Sequence, residues 1–142
     1  MQTSTIIYRE MTSSDIPSVH SLCELLALED NTSYNYDDLY NTIEKAFENG
    51  VLKAWVAELN GHLIGGIGFY VMPDILNYSK TIASEAFWYV MPEHRKGLGA
   101  ELLKMAEDNI CADEISFGLK NKKLVAYMLK KGYKEIKTII SR

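Results

Sequence analysis

Apolar positions recur along this chain with two periods, and the switches between them mark out its elements. Residues 5–9, Thr-Ile-Ile-Tyr-Arg, are β-branched and aromatic and predict a first strand. Ile16, Val19, Leu22, Cys23 and Leu26 follow at helical spacing. Ser14 is placed to cap that helix, and Pro17 suits its first turn. A polar loop over 29–35 leads to a second helix over about 36–48, with Leu39, Tyr40, Ile43 and Phe47 inward and Asn49-Gly50 as its stop. Residues 51–59 and 62–71 read as strands, and Asn60-Gly61 between them favours a tight type I′ hairpin turn. Residues 72–80, with Pro73, read as a loop, and 81–90 as the next strand. Leu98, Leu102, Met105, Ala106 and Ile110 then share a helix face, with Glu101, Lys104 and Asp108 off it. A short strand over 114–118, a helix over 122–131 stopped by Gly132, and a last strand over 133–141 complete the order β-α-α-β-β-β-α-β-α-β. An antiparallel meander followed by a βα crossover implies an α/β fold of the α+β type, a mixed sheet covered by helices.

The chemistry concentrates where the fourth strand becomes a helix, at Pro92-Glu93-His94-Arg95-Lys96-Gly97-Leu98-Gly99-Ala100. Glycine lets a backbone approach a ligand closely, and the first turn of a helix offers unpaired N–H groups with a partial positive charge. Such a turn suits an anion, above all a phosphate, and His94, Arg95 and Lys96 add cations beside it. A P-loop is excluded, because its glycine spacing and Lys-Ser or Lys-Thr pair are missing. A dinucleotide fingerprint is excluded too, since its third glycine would fall at Leu102. A turn that uses glycine only for close packing explains an isolated Gly-x-Gly equally well; the adjacent cations favour a ligand.

With 142 residues the chain suits one domain, 1–142, with a proper core. No apolar run approaches the ~20 residues of a membrane span, and the polar start is no signal peptide. Cys23 and Cys111, each in an apolar helical pattern, are expected to be reduced core residues, which suits the cytoplasm. Three scattered histidines give no metal-ligand cluster, so no metal is expected. The net charge of −4 hides an asymmetry: residues 1–71 carry three basic and ten acidic side chains, and 72–142 carry twelve and nine. That fits an anionic cofactor on one side and a cationic acceptor on the other, and equally a solvated surface without purpose. Lys120, Lys122 and Lys123 form the only dense basic cluster, too little for a nucleic-acid footprint.

The element order, with Val90-Met91-Pro92-Glu93-His94-Arg95-Lys96-Gly97-Leu98-Gly99 at the fourth strand and Asn121 to Gly132 near the end, resembles the GCN5-related N-acetyltransferases (GNAT) over about residues 5–141. The run Glu85-Ala86-Phe87-Trp88-Tyr89-Val90 looks like the short versions often carried by bacteriophages. The resemblance implies acetyl-CoA as co-substrate. Its pyrophosphate would lie on the backbone of the turn formed by His94, Arg95, Lys96, Gly97, Leu98, Gly99 and Ala100, and its pantetheine arm beside Val90 and Met91. Asn121 would contact the cofactor from the start of the next helix. Two departures from the family pattern stand out. Its Arg/Gln-x-x-Gly-x-Gly/Ala motif puts His94 at the first position, with the stretch before Gly97 one residue short. Its usual catalytic tyrosine position is Met128, with Tyr127 about 100° round the helix.

Acetyl transfer from a thioester to an amine needs orientation, a base for the ammonium proton and stabilisation of the leaving thiolate. Glu85 is the candidate base. Ala83 and Phe87 flank it in strand alternation, so the same apolar face would bury it and raise its pKa. Tyr127 is the candidate acid. The acceptor, a small amine or a protein lysine, would approach an acidic, aromatic mouth drawn from Glu29, Asp30, Tyr34, Tyr36, Asp37 and Asp38. The alternative is a catalytically inactive acyl-CoA-binding or protein-binding module on the same fold, which Met128 favours. Neither a nucleic acid nor a membrane is expected as partner. A last strand at the sheet edge, with Ile136, Thr138 and Ile140 on one face, would suit a homodimer.

Overall fold

The computed structural model describes residues 5–136 and Ile140. Its strands are β1 (Ile7–Glu10), β2 (Leu52–Leu59), β3 (His62–Asp74), β4 (Asn77–Val90) and β5 (Glu114–Ser116). Its helices are α1 (Ile16–Glu29), α2 (Tyr36–Glu48), α3 (Leu98–Asn109) and α4 (Lys122–Lys131). The strands form one sheet in chain order, antiparallel from β1 to β4 and parallel between β4 and β5. This is the mixed, helix-covered sheet that the element order predicts.

Alternation along the strands feeds two cores. Phe69, Ile67, Ala83 and Val90 pack with Leu102, Leu103 and Ala106 of α3 and Met128 of α4. Val56, Leu63, Phe87 and Tyr89 pack on the other face with Val19 and Leu22 of α1 and Ile43 of α2. Phe69, Leu22, Ile67 and Leu102 are fully buried, and removing each such side chain from water contributes about 1.5–3 kcal/mol.

Local chemistry sets the ends. Asn60 (φ 52°) and Gly61 (φ 82°) both take positive φ, as a type I′ turn requires. Asn35 caps α2 through its side chain, which accepts from the Asp38 N–H at 3.0 Å, and Asp37 and Asp38 complement the helix dipole. α1 does not start on a Ser14 cap. A short 3-10 turn over Ser13–Asp15 precedes it, where Asp15 accepts from the Thr12 N–H at 2.8 Å and is clamped by Arg9 at 2.7 and 2.9 Å. His20, fully buried, ties α1 to α2: one ring nitrogen lies 3.2 Å from the Tyr36 carbonyl, and the other 3.4 Å from Glu24.

Three further expectations need correction. Residues 72–80 are no loop, because β3 and β4 run on as a two-stranded ribbon to a turn at Ile75 and Leu76, both almost fully exposed. Pro73 is tolerated near the ribbon's tip, where the ladder is already irregular. Cys111 is exposed rather than core, because α3 ends at Asn109; Cys23 is half-buried. Residues 133–136 carry no strand: Tyr133 instead donates its hydroxyl to Glu107 at 2.6 Å and sets its ring edge-on to Phe117. The rest of the expected last strand lies, apart from Ile140, outside the described residues.

Candidate active site

β4 is held by β3 along its length but meets β5 only from Ile82 to Ser84. Beyond Ser84 the two strands part, and the gap opens into a groove of about 570 Å³. β4 forms one wall, with Glu85, Trp88, Tyr89 and Val90. The glycine turn and α3 close one end with Arg95, Gly97, Gly99 and Ala100. The β5–α4 connection and α4 supply Gly118, Leu119, Lys120, Asn121, Lys123, Leu124 and Tyr127, and the end of α1 adds Leu26, Glu29 and Asp30.

A bulge in β4 positions the carboxyl. Phe69 pairs with Glu85 and Gly68 with Phe87, which leaves Ala86 as the extra residue. Alternation is broken there, so the expected shared face of Ala83, Glu85 and Phe87 does not exist. Ala83 belongs to the α3–α4 core and Phe87 to the α1–α2 core. The Phe87 ring lies against Gly68, where an added Cβ would meet it at 2.3 Å, so only glycine fits. Glu85 is nevertheless half-buried. Desolvation, reinforced by the negative charge of Asp30 and opposed by the Gly118 backbone N–H, pushes its carboxyl up to about 7.

The glycine turn has the geometry of an anion site. Gly97 caps α3 with φ 86°, in the left-handed region that glycine alone enters freely. The first helical bond is Glu101 N–H to Gly97 C=O at 3.1 Å, so the N–H groups of Leu98, Gly99 and Ala100 precede the ladder. Across the groove Asn121 caps α4, its Oδ1 accepting from Lys123 and Leu124 at 2.9 and 3.2 Å. Its amide NH2 is what it has left to offer a ligand.

The twelve residues singled out from sequence divide clearly. Glu85, Val90, Arg95, Gly97, Gly99, Ala100, Asn121 and Tyr127 line the groove together. His94, Lys96 and Leu98 lie round the turn, where with Gly97 they line a separate cleft of about 340 Å³ beside Ile6, Tyr8, Glu93 and Glu101. Met91 lines neither; its N–H is bonded to the Ile64 carbonyl at 2.9 Å and its side chain packs between the cores. Of the three cations at the turn, then, only Arg95 reaches the groove. Its Nε donates to the Val90 carbonyl at 2.7 Å, its Nη2 to Glu29 at 2.5 Å, and its guanidinium lies 5.2 Å from the centre of the Tyr89 ring.

On α4, Met128 is buried in the core while Tyr127 faces the groove. Of the expected acidic mouth, Glu29 and Asp30 line the groove; Tyr34, Tyr36, Asp37 and Asp38 do not. Lys120 and Lys123 were visible only as part of a basic cluster, Trp88 only within the run Glu85 to Val90, and Gly118 carried no signal. The charge asymmetry of the sequence meets here: Arg95, Lys120 and Lys123 come from the basic half, Glu29 and Asp30 from the acidic one.

The pattern of the acetyltransferase (GNAT) family matches residues 19–133. Among solved structures, a predicted acetyltransferase with acetyl-CoA from Clostridium acetobutylicum superposes with a TM-score of 0.76 at 19% identity, over 97% of this chain and 96% of that one. A GCN5-related N-acetyltransferase from Ralstonia eutropha JMP134 gives 0.78 at 18% identity, over 97% and 98%. An aminoglycoside N-acetyltransferase in complex with CoA gives 0.74 at 15%, over 99% and 95%. No curated protein matches the sequence. The parting of β4 and β5, the glycine turn at the head of α3 and the family match over most of the chain agree: this chain belongs to the acetyltransferase (GNAT) family.

Proposed function

We propose that this chain, acting as one domain, transfers the acetyl group of acetyl-CoA to a primary amine by direct attack, the acceptor being a small amine or a protein lysine. The observation that carries the reading is the half-buried Glu85 carboxyl, desolvated towards neutral ionisation in the groove where β4 and β5 part. A carboxylate with a pKa near 7 is matched to taking a proton from an ammonium at physiological pH. The first-turn N–H groups of Leu98, Gly99 and Ala100 would receive the pyrophosphate, with Gly97 free of any Cβ in its way, and the Asn121 amide would support the cofactor from α4. Arg95, Lys120 and Lys123 supply cations round the same groove. Tyr127, on the groove face of α4, would donate a proton to the leaving thiolate, so Met128 at the family's usual position leaves an acid within the groove. Glu29 and Asp30 give the acceptor side a negative field suited to an amine.

Calorimetric titration with acetyl-CoA and with coenzyme A tests the reading, with Gly97→Glu as control. Micromolar binding that the variant loses supports it, because the substitution strains the turn and adds a negative charge at the anion site. No binding of either cofactor refutes it. With binding in hand, an amine screen in which Glu85→Gln loses turnover supports Glu85 as base, and unaffected turnover removes that role.

A further inference from the structure

Arg95 stands in the way of the ligand that its own groove is shaped to hold. Met91 N–H bonds to Ile64 C=O on β3, so the preceding residue, Val90, turns its carbonyl to the opposite, open edge of β4. That edge has lost β5 beyond Ser84, and it is where an extended ligand arm would add itself to the sheet. Its last carbonyl is already taken, by Arg95 Nε at 2.7 Å. The same guanidinium reaches Glu29 at the end of α1 and lies over Tyr89 on β4, so one side chain pins sheet and helix together across the groove. Lys120 makes a parallel crossing to Thr32 in the α1–α2 connection at 3.2 Å.

Resting on the reading of the groove as an acetyl-CoA site, we propose that Arg95 is a latch: it holds the Val90 carbonyl and Glu29 and must release both for the acyl-CoA arm to lie along β4. Once displaced, Arg95 lies two residues from Gly97, within reach of a pyrophosphate at the head of α3. Glu29 is then freed toward the acceptor side. Cofactor entry and the uncovering of an acceptor-side carboxylate thus become one event.

Coenzyme A dissociation constants for the wild type, Glu29→Gln, Arg95→Ala and the double variant, at one fixed ionic strength, test the latch. Glu29→Gln keeps the shape of the side chain but weakens its hold on Arg95. Because half-exposed ion pairs contribute modestly, it should tighten coenzyme A binding about two- to fivefold. In the Arg95→Ala background the same substitution should change nothing. Unchanged or weaker binding in Glu29→Gln overturns the latch. Equal tightening with and without Arg95 also overturns it, since the effect would then be only the loss of a negative charge near an anionic ligand. A wild type that does not bind coenzyme A at all removes the acetyl-CoA reading, and the latch falls with it.

Discussion

Replacing Glu85 with glutamine changes stability as well as catalysis, and the sign of the change depends on pH. In the unfolded chain the carboxyl titrates near its ordinary value of 4.5, and in the folded protein near 7. Below pH 4.5 both states are protonated and the carboxyl is neutral towards folding. As pH rises through this window the unfolded chain ionises first, so the folded state loses stability, with the full cost reached above pH 7. At about 1.4 kcal/mol for each tenfold change in proton affinity, that cost approaches about 3 kcal/mol. Glutamine occupies the same space without ionising. The variant should therefore match the wild type at pH 4–5 and exceed it at pH 8 by about 1–3 kcal/mol, a rise of several degrees in Tm. Thermal unfolding of both proteins from pH 4.5 to 8.5 reads this directly. A difference that does not grow with pH refutes the burial argument. If the variant is more stable at high pH yet keeps full turnover, the carboxyl is desolvated as described but is not the base.

Other perturbations follow from the same geometry. Gly68→Ala should destabilise the fold by about 1–3 kcal/mol in urea unfolding, because its Cβ falls 2.3 Å from the buried Phe87 ring. An unchanged midpoint would mean the ring has room to move. Met128→Ala should cost about 2–5 kcal/mol of stability, whereas Tyr127→Phe should leave Tm unchanged and lower kcat. The opposite pattern would exchange the two roles. Asp15→Asn should destabilise at neutral pH, because the Arg9 guanidinium holds the Asp15 carboxyl below its usual range. That contribution is present above the carboxyl's unfolded value and is lost as pH falls through the folded one, so the gap between the two proteins in acid unfolding should close at low pH.

What the sequence revealed was local. The Asn60-Gly61 turn and the glycine turn at the head of α3 are set by residues that prefer their conformations whatever surrounds them. Helical periodicity likewise placed α2 at its observed bounds and α4 between its asparagine cap and its glycine stop. What stayed hidden depends on partners distant in the chain. The bulge at Ala86 exists because β3 supplies Gly68 opposite, 18 residues earlier, and no pattern within β4 announces it. The groove depends on β5 being only three residues long, so that β4 is left open beyond Ser84. The direction of Arg95 depends on Glu29, 66 residues away. The ribbon beyond Val71 was misread because Pro73 and Asp74 carry loop chemistry, while the pairing that extends the strands is a tertiary fact.

The bulge gives β4 the logic of a frameshift. Upstream of Ala86 the odd-numbered Ala83 faces the α3–α4 core; downstream the even-numbered Trp88 and Val90 do, and Phe87 and Tyr89 face α1 and α2. One inserted residue thus keeps two segments with opposite parity in a single continuous strand. Deleting Ala86 would restore regular pleating and, if the upstream pairing held, would leave Phe87 and Tyr89 towards α1 and α2 and Trp88 and Val90 towards α3, because the remaining residues already alternate. Substitutions can be absorbed along this strand one side chain at a time. A change in length by one residue is absorbed only at the bulge itself; anywhere downstream, with the bulge kept, it would turn every later side chain of β4 to the other face.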